Sequence, residues 1–480
     1  MKDSVVFGGL NALSKFFSLF LTPLFTSLLS KADYGIMDLL NPLMSISGTI
    51  IILGMDSAVA RFYYQTDNVK ERKQVVSNGF WAQIISSIFV VGFILCFKTI
   101  ILTFYLKHNY NASQDLYLQV MAGIILLSTP IRFVQNLLIW TYEKKKYAVL
   151  TGGFVILNFL SIVGSMYVFR DKLLAVFIGQ LFPGIIFAIM SLVYIRGYLL
   201  PKINWILLKD MMKFGLPLVL LALIPALIPA LDRSFINKFS GLEEVANYGI
   251  GYRIATLIAL PISSISTALG PFILGLHKEE NAERLFNIIS YAIILLVSTL
   301  IIFLVTLSPL IIKILASRHY MPGIVVVAPL SFYFLLDMLK GICASGIDLS
   351  MKTYWNLMLY PVGLLFLYMA LATLTPLYGI IGAAIALFLS ALINFNLFTL
   401  VGRRLYPFKY NQLKMSFLVL FAFFMSFALS LNFENSYYYA YGAILLVIFP
   451  ICGFMVFISR DQRESLKIIV KQQILKRNIK

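Results

Sequence analysis

Five basic side chains stand inside stretches that are otherwise apolar: Lys15, Arg132, Arg233, Arg253 and Lys340. A charge at the centre of a membrane costs at least about 2.5–3.5 kcal/mol, so each needs a partner or a task. The chemistry open to them is noncovalent. An ammonium or guanidinium in low-dielectric surroundings holds a phosphate or pyrophosphate, and the planar fork of arginine matches two phosphate oxygens. Lys15 sits near the middle of its stretch, too deep to reach water easily, and is expected in a cavity. Arg132, two residues after Pro130, is similarly deep and reads as a phosphate ligand or as a partner to a carbonyl on a neighbouring helix. Arg233 and Arg253 lie nearer the ends of their stretches, where they would receive a headgroup or snorkel. Lys340 follows Asp337 by three residues, the spacing at which the two neutralise each other on one helical face. Asp38, Asp56, Asp232 and Asp337, with Asp348, are the carboxylates available to pair with these cations or to take up a coupling proton or sodium ion.

The elements that must position these groups are membrane helices. Of 480 residues 60% are hydrophobic and 12% charged, and the mean hydropathy is +0.88; a soluble domain carries roughly 25% charge. Apolar stretches of about 20 residues, enough to span a bilayer, recur about fourteen times. They include 5–29, 35–60, 75–97, 116–141, 149–169, 173–195, 214–239, 246–276, 288–312, 324–347, 357–375, 378–401, 416–431 and 438–458. Little chain remains for a soluble domain. The first stretch has no small-residue cleavage site after it and is expected to be retained. Cys96, Cys343 and Cys452 lack paired spacing and His108, His277 and His319 stand alone, so neither a disulfide framework nor a metal is expected. Asn111-Ala112-Ser113 matches a glycosylation sequon by chance.

Lysine and arginine gather in alternate loops, for example Lys70, Arg72 and Lys73, then Lys144 to Lys146, Lys202, Lys209 and Lys213, Arg403 and Arg404, and the tail from Arg460. The bias places both termini of a multi-pass membrane protein in the cytoplasm. It also accounts for most of the +18 net charge, so no nucleic-acid partner is required. The chain repeats itself. Lys2-Asp3-x-x-x-Phe7-Gly8 recurs as Lys209-Asp210-x-x-x-Phe214-Gly215, Tyr34-Gly35-Ile36 as Tyr248-Gly249-Ile250, and Glu71-Arg72 as Glu283-Arg284. Units six spans apart share one orientation, as parallel transporter repeats do. The expected architecture is all-α. Residues 1–196 form an N-lobe, 197–213 an amphipathic cytoplasmic linker, 214–402 a C-lobe, 403–458 a terminal helix pair and 459–480 a basic tail that lies on the membrane surface. Pro217, Pro225 and Pro229 in the seventh stretch, and Pro23 in the first, either let the lobes rock or fix kinks that shape the bundle. Tyr437, Tyr438, Tyr439 and Tyr441 read as an interfacial belt.

The segment Ser30-Lys31-Ala32-Asp33-Tyr34-Gly35, followed by Leu53-Gly54-Met55-Asp56-Ser57-Ala58-Val59-Ala60-Arg61-Phe62, resembles the opening of bacterial polysaccharide-unit flippases. These belong to the multidrug, oligosaccharidyl-lipid and polysaccharide exporter (MOP) superfamily. Leu231-Asp232-Arg233, Asn247-Tyr248-Gly249-Ile250, Lys352-Thr353 and Tyr378-Gly379-Ile380-Ile381-Gly382-Ala383-Ala384 resemble later parts of that family. The resemblance implies two six-helix lobes facing a central cavity and transport of an undecaprenyl-pyrophosphate-linked sugar unit to the outer leaflet of the inner membrane by alternating access, with membrane lipids and a polysaccharide polymerase as neighbours. A glycan hydroxyl stripped of water costs roughly 2–7 kcal/mol without a partner, so a headgroup needs a polar path. With a negative interior, outward movement of an anion gains about 2.3 kcal/mol per charge per 100 mV, so the membrane potential, or a proton or sodium gradient, would drive it. No cofactor is expected. A lipid II flippase would use the same cations. A multidrug antiporter would want acidic and aromatic residues deep in the first lobe to bind organic cations, and the first stretch offers Lys15 and no carboxylate. A polymerase or ligase would want a large external loop with catalytic groups, and none is present, so the protein is expected to be a transporter and not an enzyme.

Overall fold

The computed structural model describes residues 17, 20–106, 111, 114–276, 282–352, 354–406 and 411–457. Among them all regular structure is helical, and twelve helices are long and apolar enough to cross a membrane. In hydrocarbon a backbone must satisfy its own polar groups, which a helix does within one segment. Two features bear on the expected fourteen. The first stretch lies largely outside the described residues. Stretches 357–375 and 378–401 form one 52-residue helix, interrupted at Gly379 (φ 56°, ψ −133°). Helix starts carry side-chain caps: Ser30, Asp171, Asn204 and Asn411 each accept a backbone N–H three residues on. Hydroxyls within spans turn inward on their own helix. Buried Ser191, Thr306 and Thr399 each donate to the carbonyl four residues earlier at 2.7 Å.

The chain divides into two compact units, 1–246 and 247–480. The first contains α1 (Lys31–Ile52), α2 (Met55–Tyr64), α3 (Val69–Leu106), α4 (Asp115–Trp140), α5 (Lys144–Val168), α6 (Lys172–Ile195) and α7 (Trp205–Ser240), and the start of α8 (Leu242–Ala255). Helix α5 packs along α6, α6 along α4, α4 along α3, and α7 against α1 and α2. Met55, Val59, Val76, Phe80, Phe133, Leu137 and Leu150 form a buried cluster, with Phe80 edge-on to Phe133.

Residues 200–204 do not float. Ser77 Oγ donates to the Leu200 carbonyl at 3.1 Å and accepts the Leu200 N–H at 2.9 Å. Trp81 Nε1 donates to the same carbonyl. Asn78 closes a two-way pair with the backbone of Asn204 at 2.8 and 3.1 Å, and Gln74 donates to the Lys202 carbonyl. The segment is a rail fastened to α3, and 205–213, expected as linker, already form the first turns of α7. Trp205 and Ile206 stand exposed there, as an interfacial anchor requires.

Between α1 and α2 the helix breaks at Leu53 (φ 51°) and Gly54 (φ 67°). A Cβ on Gly54 would lie 2.2 Å from the Gly215 carbonyl oxygen of α7. The Arg61 guanidinium sits 4.5 Å over the ring of neighbouring Phe214. Two sequence motifs, Leu53-Gly54 and Phe214-Gly215, are thus one contact. Gly54→Ala is expected to cost about 1–3 kcal/mol from backbone strain alone, and the clash with fixed backbone adds to it. A lowered unfolding midpoint in detergent checks this; an unchanged midpoint would refute the contact as a constraint.

The second unit holds the rest of α8, α9 (Ala259–Leu276), α10 (Ala282–Leu315), α11 (Val327–Cys343), α12 (Ser345–Leu349), α13 (Tyr354–Leu405), α14 (Gln412–Leu431) and α15 (Tyr438–Phe457). Phe388 of α13 stacks on Phe423 of α14 at 3.8 Å, and Phe332 of α11 meets both edge-on. Association of helices in lipid depends on such packing. Tyr437, Tyr439 and Tyr441 are exposed, as a belt would be. Tyr438 departs from that expectation: it is buried, and its hydroxyl donates to the Val305 carbonyl at 2.5 Å, tying α15 to α10.

Candidate functional site

The charged residues singled out in the sequence fall into three groups. Lys15 lies outside the described residues.

The first group surrounds Arg132. Helix α4 carries Arg132 and, one turn on, Asn136; α3 brings Gln83; α2 places Asp56 in its first turn, where the partial positive charge of a helix N-terminus favours a carboxylate. Gln83 Nε2 donates to Asp56 Oδ1 at 3.2 Å and reaches the Ile52 carbonyl, left without its usual partner by the break after α1, at 3.5 Å. Asn136 also hydrogen-bonds Asp56, and Arg132 lies in its field without closing to a salt bridge. Arg132 is exposed and forms no ion pair with the described residues. Its guanidinium runs against α1 at Gly48, where a Cβ would stand 2.5 Å from the Nη1 nitrogen. Any larger residue would displace it. One guanidinium, one carboxylate and two amides thus converge from three segments long and apolar enough to cross a membrane, offering donors to phosphate oxygens and both donors and acceptors to sugar hydroxyls.

The second group is closed. Arg233, expected to receive a headgroup or snorkel, is buried. Its Nε donates to Asp38 at 2.7 Å, and its Nη1 to Asp232 at 3.1 Å and to the Pro229 carbonyl at 3.3 Å. Asp38 is on α1 and Asp232 on α7, so the fork clamps two helices, and these two carboxylates act in charge pairing here. Proximity across 195 residues brings Asp38 and Arg233 together, which no local spacing reveals.

The third group belongs to the second unit. Lys340 pairs with Asp337 at 2.5 Å, the (i, i+3) pairing expected from the sequence. Its ammonium also lies 4.7 Å over Tyr360 and 5.4 Å over Phe398, an aromatic seat the sequence reading missed. Arg253 is half-buried on α8, and Asp348 lies on α12.

Gln83, Asn136 and Gly48 are the participants sequence reasoning passed over. Asn136 was within reach of it, since it follows Arg132 by four residues on one helix and so shares its face.

This architecture, an all-helical membrane protein whose halves share sequence motifs, has solved counterparts. The chain covers 100% of "Lipid II flippase MurJ, inward closed conformation", with 96% of its own length aligned, 15% identity and a TM-score of 0.67. It covers 94% of an inward-facing multidrug resistance MATE family transporter of the MOP superfamily, with 82% of its own length aligned, 16% identity and a TM-score of 0.64. A MOP superfamily transporter from Pyrococcus furiosus is similar at 14% identity and a TM-score of 0.60, over 85% of this chain and 95% of that one. The fold is therefore that of the MOP superfamily transporters. A comparison with curated proteins finds no match. Residues 1–277, more than half of the sequence, match the family described as polysaccharide biosynthesis protein, and the chain belongs to that family.

Proposed function

We propose that the protein is a flippase that carries a polyprenyl-pyrophosphate-linked oligosaccharide unit from the cytoplasmic to the outer leaflet of the inner membrane, for assembly of a surface polysaccharide. The observation that supports this most is the Arg132 guanidinium, which forms no ion pair with the described residues and lies beside Asp56, Gln83 and Asn136, in a chain of the polysaccharide biosynthesis family. A pyrophosphate is bound there without a covalent step, and the neighbouring amides and carboxylate replace water around sugar hydroxyls. Both termini are cytoplasmic in this reading, and the two halves alternate in access to the leaflets. The outward movement of negative charge is favoured by the membrane potential. A polymerase takes the delivered unit on the far side.

The test is deletion of the gene followed by analysis of lipid-linked glycans in sealed inverted vesicles. The expected result is loss of surface polysaccharide, with undecaprenyl-pyrophosphate-linked oligosaccharide accumulating in the cytoplasmic leaflet. Accumulation of lipid II would overturn the substrate in favour of the peptidoglycan precursor. Unchanged lipid-linked pools would overturn transport of either.

A further inference from the structure

Helices α3 and α7 run side by side in the first unit and are pinned to each other at both ends. At one end Asn78 exchanges two hydrogen bonds with the backbone of Asn204, at 2.8 and 3.1 Å, and at the other Asn237 donates to the Tyr105 carbonyl at 2.7 Å. Between the pins lies a groove of about 650 Å³, within the range of about 300–1,000 Å³ that holds organic ligands. In a bilayer such a space takes a lipid chain, and its lining decides which lipid. Trp205, Leu208, Lys209 and Met212 follow at i, i+3, i+4 and i+7 and so present one face of the first turns of α7 to the groove, while Ala82, Ile85, Ser86 and Phe89 present the matching face of α3. Through Ile50, Phe89 and Val90 the groove adjoins a second, apolar one of about 590 Å³. Among the described residues lining either groove, Lys209 alone is charged.

Lys209 is exposed and forms no ion pair with the described residues. The carboxylate next to it, Asp210, is taken by Lys213 at 3.7 Å. Its height follows from the Asn78–Asn204 pin: Lys209 stands five residues beyond it, about 8 Å along the helix axis, and Val90 stands twelve residues beyond, about 18 Å. The charge therefore sits toward the rail, and the apolar lining leads away from the rail into the bilayer. The exposed Trp205 indole beside it suits the membrane surface. Lys202, exposed on the rail, adds a second positive charge at the same end. A zwitterionic lipid would bring an ammonium of its own to these lysines, whereas a lipid of net negative charge brings only the complement.

We propose that the groove between α3 and α7 is a binding site for one anionic phospholipid, with its phosphate at Lys209 and an acyl chain along Ile85 and Phe89. The inference goes beyond the flippase reading and does not depend on it. Occupied, the site bridges α3 and the first turns of α7, so acidic lipid steadies the start of α7.

The experiment uses the full-length protein in nanodiscs of phosphatidylethanolamine and phosphatidylglycerol, with the lipid retained after transfer to detergent counted by native mass spectrometry. One tightly held phosphatidylglycerol per chain is expected, and phosphatidylglycerol bearing a diazirine in its acyl chain is expected to label Ile85, Phe89 and Met212. Lys209→Gln is expected to lower retention about fivefold, the share of one lysine at an anionic lipid. Ser86→Trp, which fills the groove, is expected to remove both the retained lipid and the adducts, and Lys145→Gln, at an exposed lysine on α5, to change neither. Added phosphatidylglycerol should raise the unfolding midpoint of the parent in detergent and leave that of Lys209→Gln where it stands. Equal retention of phosphatidylethanolamine, or an equal loss in Lys145→Gln, would reduce Lys209 to general surface charge and overturn the inference. Displacement by an equimolar amount of undecaprenyl pyrophosphate would give the groove to the transported lipid and overturn it as well. Export is read in none of these arms, so either failure leaves the flippase reading standing.

Discussion

Arg132→Gln is expected to reduce export of the polysaccharide by at least about ten- to hundredfold, the equivalent of losing one hydrogen bond to a charged group worth about 1.5–3 kcal/mol. A pyrophosphate held by both arms of the fork would lose more. The protein should still insert and fold at normal levels, because Arg132 is exposed and forms no ion pair with the described residues. Its removal breaks no ion pair, and Asp56 keeps its hydrogen bonds with Gln83 and Asn136. Arg132→Lys keeps the charge and loses the fork, so partial recovery is expected. Gly48→Val should mimic the loss by pushing the guanidinium off α1 while the charge remains. Surface polysaccharide measured against protein abundance separates these outcomes. Full export by Arg132→Gln at normal abundance would remove this residue from the mechanism.

The opposite pattern is expected at the Asp38–Arg233–Asp232 clamp. Here the side chains are buried and hydrogen-bonded to one another, so Asp38→Ala leaves a guanidinium short of a partner in a low-dielectric interior. Breaking such a pair costs about 3–5 kcal/mol. The expected result is a fall in abundance and in the unfolding midpoint in detergent, with export lost in proportion to protein. A triple apolar replacement, Asp38→Leu with Asp232→Leu and Arg233→Met, should regain much of the stability, since removing all three charges also removes their desolvation cost. If Asp38→Ala were as stable as the parent and still failed to export, the clamp would be a transport element instead.

These two sites look alike in sequence, an arginine in an apolar stretch, and differ wholly in environment. The apolar runs and the Asp337–Lys340 spacing were legible because they are local: hydropathy and helical periodicity act over a few residues. Lys340's aromatic seat was not, since Tyr360 and Phe398 come from a different helix. Arg233 could not be told from Arg132, because its partner Asp38 lies 195 residues away. The break at Leu53-Gly54 was visible only as a motif. Its purpose emerges from Gly215, whose backbone leaves no room for a side chain. Gln83 was invisible for a related reason, since an amide in a span gains meaning only from the carboxylate and the free carbonyl it finds on another helix.

The rail at 200–204 has a consequence for how the chain is made. Ser77 and Asn78 leave the ribosome more than 120 residues before Leu200 and Asn204. The template is therefore in place when its client arrives. Docking of 200–204 on α3 then fixes where α7 begins, so an earlier helix sets the starting height of a later one.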